Sequence, residues 1–493
     1  MSRIVFFVAN DLRRDARVSR EAASLAADGH DVAVIGVLSP ETDADERRDG
    51  YRILRAKAIR RPHRLWVRSG WLVLKRVEWE TAYGRRRLGL RRFRRRVAEG
   101  GIAGMRRGVP RSPAALRQAL GQASETAGKW AGWTWEIGKA AVVAPRAGAC
   151  RIVDLATGGS ADWLAAWWAT WEGWAAQAVA IAPVAEVWAA NDIFTIRAGL
   201  RAQRRHGGLI VYHVRDLVID SGPYLQRPGW ARASLTRLER RVIDRSRAVV
   251  TTTAAMADWL RVRYRPHAPI VVTHNCPARP GPEPAPRTGT LRSAAGVGPD
   301  VPVAMYAGGL RTGRGIEPFL DALMEPELAG VHGVLLGYGE LEEPLKRRAL
   351  EDRFGGRLHV VPAFPLDSYV SALADADVSL ALFQPDTPSH RAVIPLKLFE
   401  ALAVGVPVVA SDTPGLRGVL FEDAAGRLGV VCDPTDPKAI AAAIASIVEL
   451  PRQEADALRK RCHHAAYERW NWEREAERYL PLFRSGAAGA VGS

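Results

Sequence analysis

The chain has 493 residues, enough for two or three domains with large cores. Hydrophobic residues make up 47% and charged residues 25%, which excludes wholesale disorder, collagen and a small disulfide scaffold. The net charge of +17 is concentrated in one place: from Arg52 to Arg117 there are 21 Lys and Arg against three acids, so the rest of the chain is close to neutral.

The first 40 residues read strand, loop, helix, strand. Ile4 to Val8 is a continuous apolar run, as in a strand buried on both faces. It is too short and too abruptly followed by charge for a signal peptide. A polar loop covers Asn10 to Asp15, and Val18, Ala22, Leu25 and Ala26 then recur at helical spacing. Gly29 closes the helix and Val32 to Val37 is a second strand, giving a βαβ start and a parallel sheet.

From about Pro62 to Pro183 the alternation stops. Eleven of the 16 Trp fall there, with Arg85, Arg86, Arg87, Arg91, Arg92, Arg94, Arg95 and Arg96 flanking Leu88, Leu90 and Phe93. This region reads as a helical insertion. The longest apolar stretch, Trp174 to Ala185, is too short to span a bilayer. Trp163, Trp167, Trp171 and Trp174 share one helical face, a pattern of packed core or of an interfacial belt.

Strands resume at Val187 to Ala190, ending at Asn191-Asp192, and at Leu209 to Tyr212, ending at Arg215-Asp216. Ala248 to Thr252 and Ile270 to Thr273 are further strands, with a helix from Met256 to Arg263 between them. Residues 277–300 are rich in Pro and Gly, with 281–300 as the interdomain linker proper. A second series places strands at 303–307, 333–336, 358–361, 378–382, 407–411 and 428–431. Tyr467 to Phe483 reads as a last amphipathic helix. The expected domains are residues 1–280, with 62–183 inserted, and residues 301–465, followed by a helix at 466–484 that crosses back to the first domain. Cys150, Cys276, Cys432 and Cys462 are far apart, without C-x-x-C spacing, so neither a disulfide framework nor a zinc site is expected.

Open parallel sheets build their sites at the carboxyl ends of strands. Gly308-Gly309 follows the strand AMYA, with Arg311 and Arg314 close behind. The pattern suits either a phosphate cradle or a structural turn. Gly337 and Gly339 follow the strand GVLL and read as a tight turn or as close backbone approach to a nucleotide. In HRAVIPLKLFEALAVGVPVVASD, Pro395 starts a helix and Lys397 and Glu400 share its face. A Lys in a first helical turn opposes the helix dipole unless an anion is bound there; the alternative is a plain surface ion pair.

PLKLFEALAVGVPVVASD resembles the donor-site signature of GT-B glycosyltransferases, in particular glycosyltransferase family 4, glycosyl transferases group 1. YAGGLRTGRGIEPFLDAL, VLLGYGELEEPLKRRA and LHVVPAFPLDSYVSALADADVSLALF stand in the order of that family. So does RWNWEREAERYLPLF. FFVANDLRRDARVSREAASLAADGHDVAVIG, AEVWAANDIFTIRAGL and GLIVYHVRDL resemble its N-terminal half. The resemblance covers most of the chain outside roughly 62–183.

It implies two Rossmann-like domains facing a cleft and a retaining, metal-independent transfer from a nucleotide-diphosphate sugar, with no cofactor. Glu400 would bind the ribose, and Arg314 and Lys397, the expected catalytic cations, the diphosphate. Gly308, Gly309, Arg311, Gly337 and Gly339 would line the donor site, and Phe364 and Pro365 would receive the base. Asn10, Asp11, Arg17, Asn191, Asp192, Arg215 and Asp216 would face a glycan or lipid-linked acceptor. Fixed cations at the leaving diphosphate stabilise the charge that develops there.

Three positions depart from the family pattern. Ala392 stands where many members carry a sugar-contacting Glu, Gly309 where some carry Arg, and Arg215 where a His is common. They favour an alternative, a GT-B-like binding or assembly protein without turnover. The Arg-rich segment has three readings: attachment to an anionic membrane, nucleic-acid binding, or a solvated charged face. The first is preferred, because many relatives glycosylate lipid-linked acceptors, and it implies a cytoplasmic protein held on the inner face of the membrane. No recognisable nucleic-acid module accompanies the charge. The Arg- and Ala-rich composition suggests a bacterial source.

Overall fold

The computed structural model describes residues 1–58, apart from Arg14, and 160–484. Among these, 1–58 and 174–484 belong to one compact unit, which holds both sheets, and 160–173 belong to a second. The predicted helical insertion lies mostly outside the described residues, as do Arg85, Arg86, Arg87, Arg91, Arg92, Arg94, Arg95 and Arg96. Its described end is one helix, Ser160–Ile181. No described helix is long and apolar enough to cross a membrane.

The first sheet has eight strands: β1 (Arg3–Phe7), β2 (Asp31–Val37), β3 (Asp45–Arg48), β4 (Tyr51–Ala56), β5 (Val187–Asn191), β6 (Leu209–Val214), β7 (Ser246–Thr251) and β8 (Ile270–Val272). Their order is β3-β4-β2-β1-β5-β6-β7-β8. All pairs are parallel except β3–β4. That hairpin was not anticipated from the sequence. Its turn is Asp49-Gly50, both at positive φ, and β3 is the charged run DERR. Charge at a sheet edge discourages pairing with another chain.

The second sheet has six parallel strands: β9 (Val303–Gly309), β10 (His332–Tyr338), β11 (Leu358–Pro362), β12 (Val378–Ala381), β13 (Val408–Ser411) and β14 (Gly429–Cys432). Their order is β11-β10-β9-β12-β13-β14. Each matches a predicted strand to within two residues at either end. In both sheets the chain runs outward on one side of a strand and returns on the other. The switch points are β1/β5 and β9/β12. A crevice opens above such a point, because the connections on its two sides lead away from each other.

Two expectations need correction. The segment 277–300 is not all linker: Thr290–Ala295 is helical, and buried Asp375 fixes its start by accepting from the Gly289 and Leu291 amides. The last helix is also broken. Arg452–Glu468 ends, Trp472–Tyr479 begins anew, and Leu480–Phe483 is a 3-10 turn. Asn471 makes the break. Its amide donates to the Ala466 and Tyr467 carbonyls and its side-chain oxygen accepts from the Arg474 amide. One side chain thus finishes one helix and caps the next.

The second of these helices lies on the first sheet. Trp472, Tyr479 and Phe483 are buried in one core with Ile4, Phe6, Val18 and Leu25. Trp472 Nε1 donates to Ser24 Oγ at 2.7 Å, and buried Glu475 accepts from the His274 amide at 3.0 Å.

Candidate functional site

Glycines shape the loops after β9 and β10, and three of them have no space for a side chain. Gly315, which starts the helix Ile316–Ala322, has φ +75°, and a Cβ there would fall on the Leu382 carbonyl. Cβ atoms on Gly337 and Gly339 would overlap the backbone of Gly308 and Leu310. The close approach of Gly337 and Gly339 within the protein is to β9 and its loop. Together these glycines draw the ends of β9 and β10 against each other. Gly308, at φ +131°, lies beside Lys397: a Cβ placed there would be in ordinary contact with its Cε at 3.5 Å. Gly309 and Arg311 are exposed.

Lys397 and Glu400 lie on the helix Leu396–Ala403, on neighbouring turns. The Lys397 ammonium is buried, 3.3 Å above the centre of the Tyr306 ring, and has no hydrogen-bond partner among the described residues. Burial drives its pKa well below the usual lysine range, and the Arg314 charge adds to the effect against the weaker pull of Glu400. The surface-pair reading thus fails: the two side chains share no ion pair, and the ammonium is a buried cation without a fixed counter-ion. Glu400 accepts from Tyr369 Oη at 3.1 Å. Burial raises its pKa, opposed by the Tyr369 hydrogen bond and by Arg20 and Lys397. Arg314 is half-buried with its guanidinium 4.5 Å from the centre of the Phe383 ring.

Phe364 packs on the edge of the C-terminal core. Pro365 is exposed and caps the helix Leu366–Ala374, the same helix that supplies Tyr369. Lys397, Arg314, Glu400 and this segment surround the carboxyl ends of β9 and β12. The arrangement offers cations for a diphosphate and a carboxylate for a polyol such as ribose.

The strand ends of the first sheet carry a different chemistry. Arg215 donates from Nε to Asp192 at 2.9 Å and from Nη1 to Asp15 at 3.0 Å. Burial opposes its charge, but Asp192 and Asp15 outweigh that and hold the pKa above the usual range. Arg215 is therefore committed to two carboxylates and fixes Asp192, whose φ of +61° is a strained conformation for a side chain of this kind. Asn10 donates to Asp15 at 2.7 Å, and Asn191 donates to the Phe7 carbonyl. Asp11 is lowered in pKa: burial works against this, but hydrogen bonds from Arg13 and Ser39 prevail. Asp216 is exposed beside Arg215. Arg17 is buried, with its Nε donating to Glu21 at 2.7 Å. Among the described residues no group of three or more His, Cys, Asp or Glu is gathered as metal ligands.

One hydrogen bond ties the two sheets' loops together at Ala392. Thr253 Oγ1 donates to the Ala392 carbonyl at 2.7 Å and accepts from the Met256 amide, capping the helix Ala254–Tyr264. Thr253→Val, which keeps the shape and loses both bonds, is expected to lower stability by about 1–2 kcal/mol in chemical denaturation.

Residues 289–469 match the family model described as glycosyl transferases group 1. The match covers this segment and not the rest of the chain. It contains all of β9 to β14 and every donor-side residue named above. Glycogen synthase of Mycobacterium tuberculosis is 27% identical to the chain over 248 residues, 47% of this chain and 55% of the relative. A GDP-mannose-dependent alpha-(1-6)-phosphatidylinositol dimannoside mannosyltransferase of the same species is 31% identical over 182 residues, 36% of this chain and 42% of the relative. The chain thus spans about half the length of the curated relatives it matches. Sucrose-phosphate synthase of Thermosynechococcus elongatus superposes with a TM-score of 0.61 at 16% identity, covering 98% of both chains. HepE of Anabaena, solved with UDP-glucose, gives 0.55 at 14% identity, covering 97% of this chain and 98% of that one. The likeness is one of fold: the two sheets form the GT-B architecture.

Around Lys397, Arg314 and Glu400, four contributors were missed from sequence. Tyr306 lies beneath Lys397, Phe383 beneath Arg314, Tyr369 holds Glu400, and Arg20 reaches Glu400 through its charge. Tyr306 lies within β9, Phe383 just after β12 and Tyr369 in the first turn of its helix.

Proposed function

We propose that the chain is a family 4 glycosyltransferase that moves a sugar from a nucleotide-diphosphate sugar to an acceptor, with retention and without a metal. The buried, unpartnered Lys397 ammonium beside Arg314 carries the reading. A cation held there at a cost in stability suits a site that receives an anion and stabilises a leaving diphosphate. Glu400, one helical turn away, suits the ribose hydroxyls. The names of the matched relatives, a glycogen synthase and a GDP-mannose-dependent mannosyltransferase, support a sugar-transferring activity.

The acceptor is proposed to be a glycan or lipid-linked molecule that meets the strand ends of the first sheet. The charge of the Arg-rich segment supports work at the cytoplasmic face of an anionic membrane, with nucleic acid the weaker partner. A second reading rests on Ala392, which puts a methyl group where a sugar-contacting carboxylate is common. It predicts nucleotide binding without transfer.

A melting-temperature screen against UDP, GDP, ADP and TDP, alone and as common sugar conjugates without metal, tests the proposal. One nucleotide is expected to raise the midpoint, since a ligand specific to the native state stabilises it by mass action. Glu400→Gln is expected to weaken that nucleotide about tenfold or more, through the loss of a charge-assisted hydrogen bond of about 1.5–3 kcal/mol. Absence of any shift in folded protein would remove the donor-site assignment.

A further inference from the structure

The short helix Pro388–Ala392 follows the carboxyl end of β12, at the β9/β12 switch point. Thr387 caps it, its side chain accepting from the His390 amide at 3.1 Å. The bond from Thr253 to the Ala392 carbonyl ties its other end to the first sheet's half of the molecule. His390 is the one residue of this helix whose ring reaches the loop after β9. A Cβ built on Gly313, the residue before Arg314, would lie 3.5 Å from His390 Cε1. The ring also meets Phe383 edge to face at 5.8 Å, and Arg314 holds its guanidinium 4.5 Å from the centre of that same Phe383 ring.

Asp386 fixes the ring. Its Oδ1 is 2.7 Å from His390 Nδ1. A carboxylate oxygen accepts, so Nδ1 carries the proton, and in the neutral ring Nε2 is then an acceptor. Nε2 has no partner among the described residues. It is bonded to Cε1, so it too lies close to the Gly313-Arg314 loop. The His390 side chain is 22% exposed and that of Asp386 58%, and a pair so open to water contributes little to stability. What the pair supplies is an oriented acceptor nitrogen beside a cation of the donor site.

An acceptor nitrogen pairs with a hydroxyl and not with a phosphate oxygen. Along the donor, Tyr369 and Glu400 are read as the ribose end and Lys397 and Arg314 as the diphosphate cations. The group that follows the diphosphate is the transferred sugar, and the Thr253 bond places the helix of His390 toward the half of the molecule that would hold the acceptor. We propose that His390 is a sugar-binding residue, its Nε2 accepting a hydrogen bond from a hydroxyl of the sugar carried by the donor, with Asp386 as its positioning residue. This rests on the reading of Arg314 and Lys397 as the diphosphate cations.

The test compares a nucleoside diphosphate with its sugar conjugate: UDP with UDP-glucose and UDP-N-acetylglucosamine, GDP with GDP-mannose, ADP with ADP-glucose, and TDP with TDP-glucose. Calorimetry on the full chain gives the ratio of the two affinities for the pair that the parent binds most tightly. His390→Phe keeps an aromatic ring against Phe383 and loses both nitrogens. It is expected to weaken the sugar conjugate about three- to tenfold and to leave the bare diphosphate unchanged. Asp386→Ala, at an exposed position, is expected to weaken the conjugate by a smaller factor with the same selectivity, and it decides the matter if His390→Phe does not melt cooperatively. Equal losses for conjugate and diphosphate make His390 a support of the Arg314 loop and overturn the proposal, as does an unchanged ratio. An effect of His390→Phe without one of Asp386→Ala overturns the positioning role of Asp386. If the parent binds no nucleotide, the donor reading fails and the role of His390 falls with it. A failure confined to the ratio leaves the donor reading intact.

Discussion

Lys397→Met is expected to raise the melting temperature of the ligand-free protein while lowering turnover about a hundred- to a thousandfold. The two effects have opposite signs for one reason. The ammonium sits over the Tyr306 ring at 3.3 Å without a hydrogen-bond acceptor, so its desolvation is only partly compensated. Methionine fills the same volume and carries no charge to bury. When a diphosphate occupies the site, the ammonium gains the counter-ion it lacks, and most of all as negative charge builds on the leaving group. The pH dependence follows from the lowered pKa. Between that depressed value and the ordinary 10.5 the unfolded chain binds a proton here that the folded protein does not. Stability from this residue therefore increases as pH rises through that window and is lost again as pH falls through the depressed value. Binding an anion raises the pKa and should take up a proton. Melting curves and proton-uptake calorimetry at several pH values, parent against Lys397→Met, measure this; a variant less stable than the parent without ligand contradicts it.

Gly315→Ala is expected to cost about 3 kcal/mol or more, from a strained φ and an overlap with backbone that cannot rotate away. The φ is +75° and the obstructing atom is the Leu382 carbonyl oxygen. For a domain of this size the midpoint should fall by roughly 6–12 °C. The damage is also functional. Gly315 starts the helix Ile316–Ala322 and follows Arg314, so relieving the overlap displaces the guanidinium from the Phe383 ring. Denaturation together with nucleotide affinity checks both consequences. Gly330, with open space around its would-be Cβ, is the control and should accept alanine with little change.

The second sheet was legible in the sequence because each strand is a compact apolar run closed by Gly, Pro or Asp. The candidate site was legible as a string, PLKLFEALAVG, whose residues are neighbours along one helix. What surrounds that helix was not. Tyr306, Tyr369 and Phe383 come from separate strand and helix ends, and only the folded β9/β12 switch point brings them beside Lys397, Glu400 and Arg314. The partners of Arg215 were hidden for a related reason: Asp15 and Asp192, which hold its nitrogens, are distant in sequence. The charged strand β3 escaped notice because an edge strand needs no apolar pattern, although Asp49-Gly50 marked its turn. Asn471 was overlooked as a helix start within an amphipathic run that continued through it.

The return of Trp472, Tyr479 and Phe483 to the core around Phe6 and Val18 orders events during synthesis. These side chains leave the ribosome only after the whole second sheet has been translated. Until then the first sheet exposes the apolar face they will cover, while the core of the second sheet is complete once Trp470 has been added. The half of the molecule made first is thus the half finished last: the core of the second sheet closes with Trp470, that of the first only with Phe483.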